Sequence, residues 1–269
     1  MNIFIINKTC IIKFIVIFLL IFCIITTIFQ IYKYIKSSTS TFQVSSNNEA
    51  SENFTLQEKI DAIYSSKEKV AYLTFDDGPT KVATPQVLDI LKAEDVKATF
   101  FVIGYRVKEF PETVKREHEE GHFIANHTYS HKNSKLYQSK DAFIQELKDA
   151  ENAISEAIGM PYTSHLFRFP NGSKGSSYSG SKKKCIQYLK ELEYGYVDWN
   201  ALNQDSVGHF SASQLLSNFK KSCKNKNSLV ILMHDTADVS RSYLALQASI
   251  SFLKNEGYTF KTFKDFFPN

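Results

Sequence analysis

The chain has 269 residues, 43% of them hydrophobic and 22% charged, which is ordinary for a globular protein and long enough for one large domain with a real core. Lys and Arg number 32 against 28 Asp and Glu, a formal charge of +4. Lys8, Lys13, Lys33 and Lys36 supply that whole excess, so the chain beyond residue 37 is neutral. It therefore lacks the dense basic face that nucleic-acid binding requires, and no nucleic-acid partner is expected.

The first element is FIVIFLLIFCIITTIF, Phe14–Phe29, which no charge interrupts. With Ile11, Ile12, Ile31 and Tyr32, and with Lys13 able to snorkel, it reaches the roughly 20 residues that span a bilayer. A cleaved signal peptide would need small residues just after the apolar run, and QIYKYIKSS offers bulky ones. Residues 1–36 are thus expected to be an uncleaved, single-pass transmembrane helix. Two lysines on each side leave its orientation undecided by charge. The stretch SSTSTFQVSSNNEASENFT that follows is rich in Ser, Thr and Asn, and residues 37–66 read as a flexible linker.

From Lys67 onward, strand-like and helical patterns alternate. VAYLTF (70–75) precedes a helix over 85–94, and ATFFVI (98–103) a helix around 107–120. The short strand HFIAN precedes a long helix over 139–158. SHLFRF, YGYVDW and LVILMHD are each followed by a helical pattern, at 181–193, 211–224 and 241–255, and YTFKTF closes the series. Strands separated by 10–15-residue helices imply βα units around a parallel sheet or barrel, whose working residues stand at the C-terminal rim. Asp76, Asp77, His127, Arg168, Asp198 and His234 all follow the apolar run of a predicted strand. Cys185 and Cys223 form neither a metal signature nor a disulfide framework.

Four of the seven histidines lie in HEEGHFIANHTYSH, residues 118–131, as two pairs of equal spacing. HEEGH fits the zinc-peptidase pattern, but that pattern needs one helix through both histidines. Gly121 is the usual left-handed stop after a helix, so His122 opens the next strand instead. HTYSH follows a strand end, where one helical turn would set His127 and His131 on one side. Zinc catalysis commonly adds a carboxylate from elsewhere and leaves one position open, and TFDDGP offers two acids.

TFDDG, NHTYSH, RFPNG (168–172), DWNALNQD (198–205) and LMHD (232–235), in that order, resemble the motifs of the polysaccharide deacetylase family, carbohydrate esterase family four. The resemblance covers residues 70–263 and implies an α/β fold, a distorted (β/α) barrel of about seven parallel strands, over a domain at 67–269. It implies one divalent metal ion, zinc as a rule, held by Asp77, His127 and His131. Asp76 would be the general base, kept ionised by Arg168, and His234 the acid that protonates the leaving amine. Asp205 would tune His234. A backbone N–H in RFPNG, where Asn171 stands in place of the family's common tyrosine, would meet the oxyanion, and Leu232 would line the acetyl pocket. The fourth motif departs from the pattern at Leu202 and Ser206, so the tryptophan that usually lines the groove is missing; Trp199 reads as core, and Asp198 is the rival to Asp205.

The implied activity is metal-dependent removal of N-acetyl groups from N-acetylglucosamine in an extracellular glycan, with peptidoglycan as the substrate. Chitin oligomers, poly-N-acetylglucosamine and acetylxylan are the alternatives within that chemistry, and a non-catalytic glycan-binding module is the alternative outside it. The expected partners are the N-acetylated glycan and, through the N-terminal helix, the cell membrane; no protein partner is expected.

Overall fold

The computed structural model describes residues 54–175, 177–236 and 242–267, together with Thr26, Thr27 and Gln30. The apolar run expected to form the anchor lies outside the described residues apart from Thr26 and Thr27, as does the linker up to residue 53. Among the described residues no helix is long and apolar enough to cross a membrane.

The folded unit begins at Phe54, earlier than the expected boundary at Lys67. Helix α1 (Leu56–Ile63) is started by a capping box in which the Thr55 hydroxyl accepts from the Glu58 N–H and the Glu58 carboxylate accepts from the Thr55 N–H. Leu56, Ile60 and Ile63 form a narrow apolar stripe at helical spacing, and Ile60 and Ile63 are buried. Eight residues with three large apolar ones make a weak signal beside a Ser/Asn-rich run, and the linker reading absorbed it.

Among the described residues eight strands follow: β1 (Val70–Asp76), β2 (Thr99–Val102), β3 (Phe123–Asn126), β4 (Leu166–Phe167), β5 (Gly195–Tyr196), β6 (Ala201–Leu202), β7 (Ser228–His234) and β8 (Thr259–Lys261). Every ladder among them is parallel. Seven strands run in the order β5-β4-β3-β2-β1-β7-β6, and β8 pairs with β1 off that path. The result is a curled half-barrel. Its edge strands β5 and β6 are consecutive in the chain, so the four residues between them bridge the two edges. The Val197 N–H still bonds the β4 carbonyl of Phe167 (3.1 Å), and the Asn200 N–H already bonds the β7 carbonyl of Val230 (3.0 Å).

The remaining helices are α2 (Ala83–Ala93), α3 (Gly104–Glu109), α4 (Pro111–Glu119), α5 (Asn133–Leu136), α6 (Lys140–Ile158), α7 (Ser179–Glu191), α8 (Ala212–Cys223) and α9 (Ser242–Asn255). The single helix expected around 107–120 is two, because Pro111 has no N–H to continue α3 and instead starts α4. Strand alternation divides the core. Ala71, Leu73 and Phe75 of β1 face outward onto the helices, while Val70 and Tyr72 face inward with Leu166 and Val230. Ile60 and Ile63 of α1 and Phe263 of the 3-10 turn (Phe263–Phe266) pack into this inner cluster. Cys185 and Cys223 are free, buried and in different apolar clusters.

Ile60 is fully buried in that inner cluster. Ile60→Ala is expected to cost about 2–5 kcal/mol in urea denaturation, whereas a residue in a true linker would move stability by roughly 0.5 kcal/mol or less.

Candidate active site

The inward face of β1 changes from apolar to polar at its C-terminal end, where Thr74 and Asp76 continue the alternation set by Val70 and Tyr72. Asp77 then takes a left-handed conformation (φ 74°), one that aspartate tolerates better than most residues. Its Oδ1 lies 3.4 Å from His127 Nε2 and 3.2 Å from His131 Nε2. Among the described residues these three form the one group whose donor atoms could hold a metal, all within 4.8 Å of one another.

The loop that carries the two histidines does not contain the expected helical turn. Thr128 and His131 have φ values of 71° and 54°, and side chains hold the bend: the Thr128 N–H donates to Asn126 Oδ1 (2.9 Å) and the His131 N–H to Thr128 Oγ1 (2.9 Å). Buried Glu146 of α6 accepts from both the N–H and the hydroxyl of Ser130. The sequence hides this residue, since it stands on the apolar face of α6 between Phe143 and Leu147. The turn of helix comes later, as α5.

A cation fits these donors. Asp77 Oδ1 is buried and has no hydrogen-bond partner, although it faces two ring nitrogens. His127 Nδ1 lies 2.8 Å from the Arg168 carbonyl, which takes an N–H and leaves Nε2 as the lone-pair nitrogen on the Asp77 side. Burial disfavours charge on His127, but Asp76 and Asp77 outweigh it and raise its pKa, so the carboxylates draw positive charge to this point. Burial, and then the nearby His127, push His131 down to about 4, which keeps it a neutral donor. Burial alone would raise Asp77, yet His127 and His131 hold it well below the usual carboxylate range.

Arg168 is fully buried and makes four hydrogen bonds. Its Nη1 donates to Asp76 Oδ1 (2.7 Å) and Thr74 Oγ1 (2.6 Å), its Nε to the Val197 carbonyl (3.1 Å) and its Nη2 to the Asp198 carbonyl (3.3 Å). Its guanidinium lies 4.0 Å from the centre of the Phe101 ring.

His234, the last residue of β7, is the register partner of Asp76 on β1. Its Nδ1 lies 2.7 Å from Asp205 Oδ1, its N–H donates to Asp205 Oδ2 (2.8 Å), and the Ser242 hydroxyl also bonds that carboxylate. Burial favours the neutral ring, but the hydrogen bond and charge of Asp205 outweigh it and push His234 up to about 9. Asp198 does not share this space: its carboxylate accepts from the N–H (2.8 Å) and hydroxyl (2.6 Å) of Ser173. Leu232 is buried on the same inward face as His234 and pairs in register with Thr74. Asn171 is exposed with φ 61°, and its N–H makes no hydrogen bond among the described residues. Asp235 packs so close behind Gly78 that a Cβ there would lie 2.1 Å from its Oδ2. Burial raises its carboxyl to about 7 in spite of a 2.6 Å bond from Thr84.

Sequence reasoning missed one wall of the site. A cavity of about 490 Å³ lies beside the Asn171–Ser173 turn, lined in part by Tyr64, Asp198 and Trp199. Tyr64 falls in the expected linker, and Trp199, read as core, is only half-buried. The one signal available was a tryptophan directly after a strand-end aspartate.

His118 and His122 do not meet as a ligand pair. His118 belongs to α4, Gly121 turns the chain at φ 81°, and His122 is buried ahead of β3. His122 Nδ1 accepts from the Ala98 N–H (3.1 Å), and burial pushes its pKa down to about 4, as for a neutral core histidine.

Residues 64–197 match the polysaccharide deacetylase family model. A peptidoglycan-N-acetylglucosamine deacetylase of Bacillus cereus is 37% identical over 208 residues, 75% of this chain and 72% of that protein. The peptidoglycan-N-acetylmuramic acid deacetylase PdaA of Bacillus subtilis is 33% identical over 214 residues, 78% of this chain and 76% of that one. Among solved structures, the catalytic domain of peptidoglycan N-acetylglucosamine deacetylase from Eubacterium rectale superposes with a TM-score of 0.68 at 31% identity, covering 74% of this chain and 90% of that one.

His127→Ala or His131→Ala is expected to abolish tight zinc binding measured by calorimetry, while His118→Ala leaves it unchanged. An equal loss in all three would return the peptidase pair to consideration.

Proposed function

The chain belongs to the polysaccharide deacetylase family, and from that premise we propose that it hydrolyses the acetamide of N-acetylglucosamine residues in peptidoglycan. The observation that carries the mechanism is the register of β1 and β7, which sets a carboxylate, Asp76, directly across one ladder from an imidazole, His234, beside the Asp77–His127–His131 donors. Two histidines and a carboxylate suit zinc, which when bound would polarise the acetamide carbonyl and acidify water.

The chain's own residues do the proton work. Asp76 Oδ1 is committed to Arg168, which orients the carboxylate so that it takes a proton from the attacking water. The Asn171 N–H stabilises the negative charge that develops on the carbonyl oxygen. His234, with Nδ1 tied to Asp205, gives its Nε2 proton to the departing amine. Leu232 is the apolar residue that packs on the acetyl methyl. A non-catalytic glycan-binding module would have no need of an acid, a base and a metal donor set kept together.

Peptidoglycan is favoured over chitin oligomers, poly-N-acetylglucosamine or acetylxylan because the relatives described above carry that substrate in their names. We also place the domain outside the cell, tethered by the apolar segment 11–32, which is long enough in sequence to span a bilayer.

Acetate release from a panel of N-acetylated glycans decides the activity. Peptidoglycan fragments should yield acetate that chelator abolishes and zinc restores, and Asp76→Asn should bind zinc yet lose turnover by about a hundredfold or more. No chelator-sensitive acetate from any glycan would overturn the enzyme reading. Asp205 raises the pKa of His234, to about 9, which favours its acid form. Asp205→Asn removes the charge that opposes burial, so the alkaline limb should move to lower pH, whereas Asp198→Asn should leave that limb in place. Protease added to wall-stripped cells should cut within residues 37–53 and release the domain; protection of that segment would put the domain in the cytoplasm.

A further inference from the structure

We propose that Lys182 and Asp198 are positioning residues that clamp the peptide unit between Gly172 and Ser173 from both ends, and so aim the Asn171 N–H at the carbonyl oxygen of the substrate. This rests on the proposed deacetylase reading, in which that N–H stabilises the developing negative charge. It adds two side chains that touch no reacting atom.

The turn that carries Asn171 needs to be held. The Gly172 N–H donates to the Phe169 carbonyl (2.8 Å), which closes a four-residue turn over 169–172. Pro170 is second in that turn, where its ring sets φ near about −65°. Asn171 is third, with φ 61°. A negative φ followed by a positive one is the type II pattern, whose middle peptide is turned over relative to the commoner type I. The N–H at issue belongs to that middle peptide, so the sign of φ at Asn171 decides which way the donor points. Gly172 continues with φ 73°, which makes two left-handed residues in succession. Asparagine tolerates that region better than most residues but does not prefer it, so the conformation depends on what holds its flank.

Two charged side chains hold it. Lys182 Nζ donates to the Gly172 carbonyl (2.6 Å), and the Ser173 N–H, the other end of the same peptide unit, donates to Asp198 Oδ1 (2.8 Å). The Ser173 hydroxyl adds a bond to Asp198 Oδ2 (2.6 Å). One peptide unit thus has an ammonium at its oxygen and a carboxylate at its hydrogen, and bonds to charged groups are the stronger class. Lys182 is buried, and the Gly172 carbonyl is its one hydrogen-bond partner among the described residues. Burial lowers its pKa, and the charge of Asp198 opposes that.

Neither clamp residue can drift. Lys182 stands on α7, whose Cys185 and Leu189 are buried in one apolar cluster with Phe169 of the turn. A Cβ at Gly175 would lie 3.2 Å from both Lys182 Nζ and the Asn171 carbonyl, so the loop closes round the ammonium. Asp198 is fixed by its own carbonyl, which accepts from Arg168 Nη2 (3.3 Å) and the Tyr64 hydroxyl (3.0 Å). The arginine that orients the proposed base therefore also fixes the residue that holds the oxyanion turn.

The experiment measures acetate release from the N-acetylglucosamine hexamer by the zinc-loaded full chain in detergent. Lys182→Met should lower kcat about tenfold to a hundredfold, the scale of a donor misaimed rather than removed. KM, zinc affinity and the alkaline limb of the pH profile should stay as they are, since the lost interaction acts only as charge develops on the oxygen. A methylphosphonamidate analogue of the acetamide carries a tetrahedral oxygen where that charge forms, and its inhibition constant should rise by the same factor. Asp198→Ala releases the other end of the peptide and should give the same pattern. The double variant should lose little more than either single one, because both act on one peptide unit.

Unchanged kcat in Lys182→Met, with the unmodified chain active, would overturn the clamp and leave the deacetylase standing. A rise in KM alone or a shifted alkaline limb would also overturn it, since Lys182 would then act on sugar binding or on His234. No acetate from the unmodified chain would overturn both readings. If Lys182→Met does not fold, Asp198→Ala decides by the same measures.

Discussion

The buried pair of Arg168 and Asp76 is the interaction on which the rest of the site depends. A guanidinium with no exposure to water is tolerated only when its N–H groups find acceptors, and four hydrogen bonds and an aromatic face receive this one. Removing one partner from such a pair leaves an uncompensated buried charge, at a general cost of about 3–5 kcal/mol. The acceptors come from β1 and from the Val197–Asp198 segment. The bridge between the two edges of the half-barrel is therefore tied to β1 by the same side chain that orients the proposed base. The main chain of Arg168 has a separate task, because its carbonyl fixes the His127 tautomer.

The proposed acid and base divide the same logic. Asp76 and His234 are register partners, yet each has a counter-charge of its own on a different element, Arg168 after β4 and Asp205 after β6. Two titrating groups on adjacent strands can hold opposite roles because their environments differ, and the environments are set by residues far apart in the chain. Burial works against the charge on His234, and Asp205 overcomes it. The candidate metal donors follow a third pattern: carboxylate charge gathered around His127, whose pKa it raises, and around His131, which burial keeps neutral, makes a place where positive charge is favoured.

The departure of the fourth motif has a structural counterpart. Leu202 is a β6 residue paired with Leu232, and Asn203 Oδ1 accepts from the Asp205 N–H while its amide donates to Ser242. The carboxylate of Asp205 is thus held from several sides although the neighbouring tryptophan of the family pattern is absent. Trp199 and Tyr64, the latter just past the end of α1, line the cavity beside the Asn171–Ser173 turn.

The sequence by itself determined the βα alternation, the place of the candidate site residues after strand ends, and the separation of the two histidines of HEEGH. These are local matters: period-2 apolar runs, a glycine that stops a helix, and motif residues at fixed spacing. Gly121 alone was enough to separate His118 from His122, and a positive φ there carries out the separation. Three things were decided only by the tertiary structure. The histidine clamp is a bend rather than a helical turn, because Glu146, fifteen residues beyond His131, captures Ser130. Asp205 rather than Asp198 serves His234, because Ser173 occupies Asp198 first. Helix α1 exists as part of the domain because its two isoleucines fill the inner cluster of the half-barrel. Each depends on contacts between residues distant in sequence, and a helix of two turns is not stable until such contacts offset the cost of nucleating it.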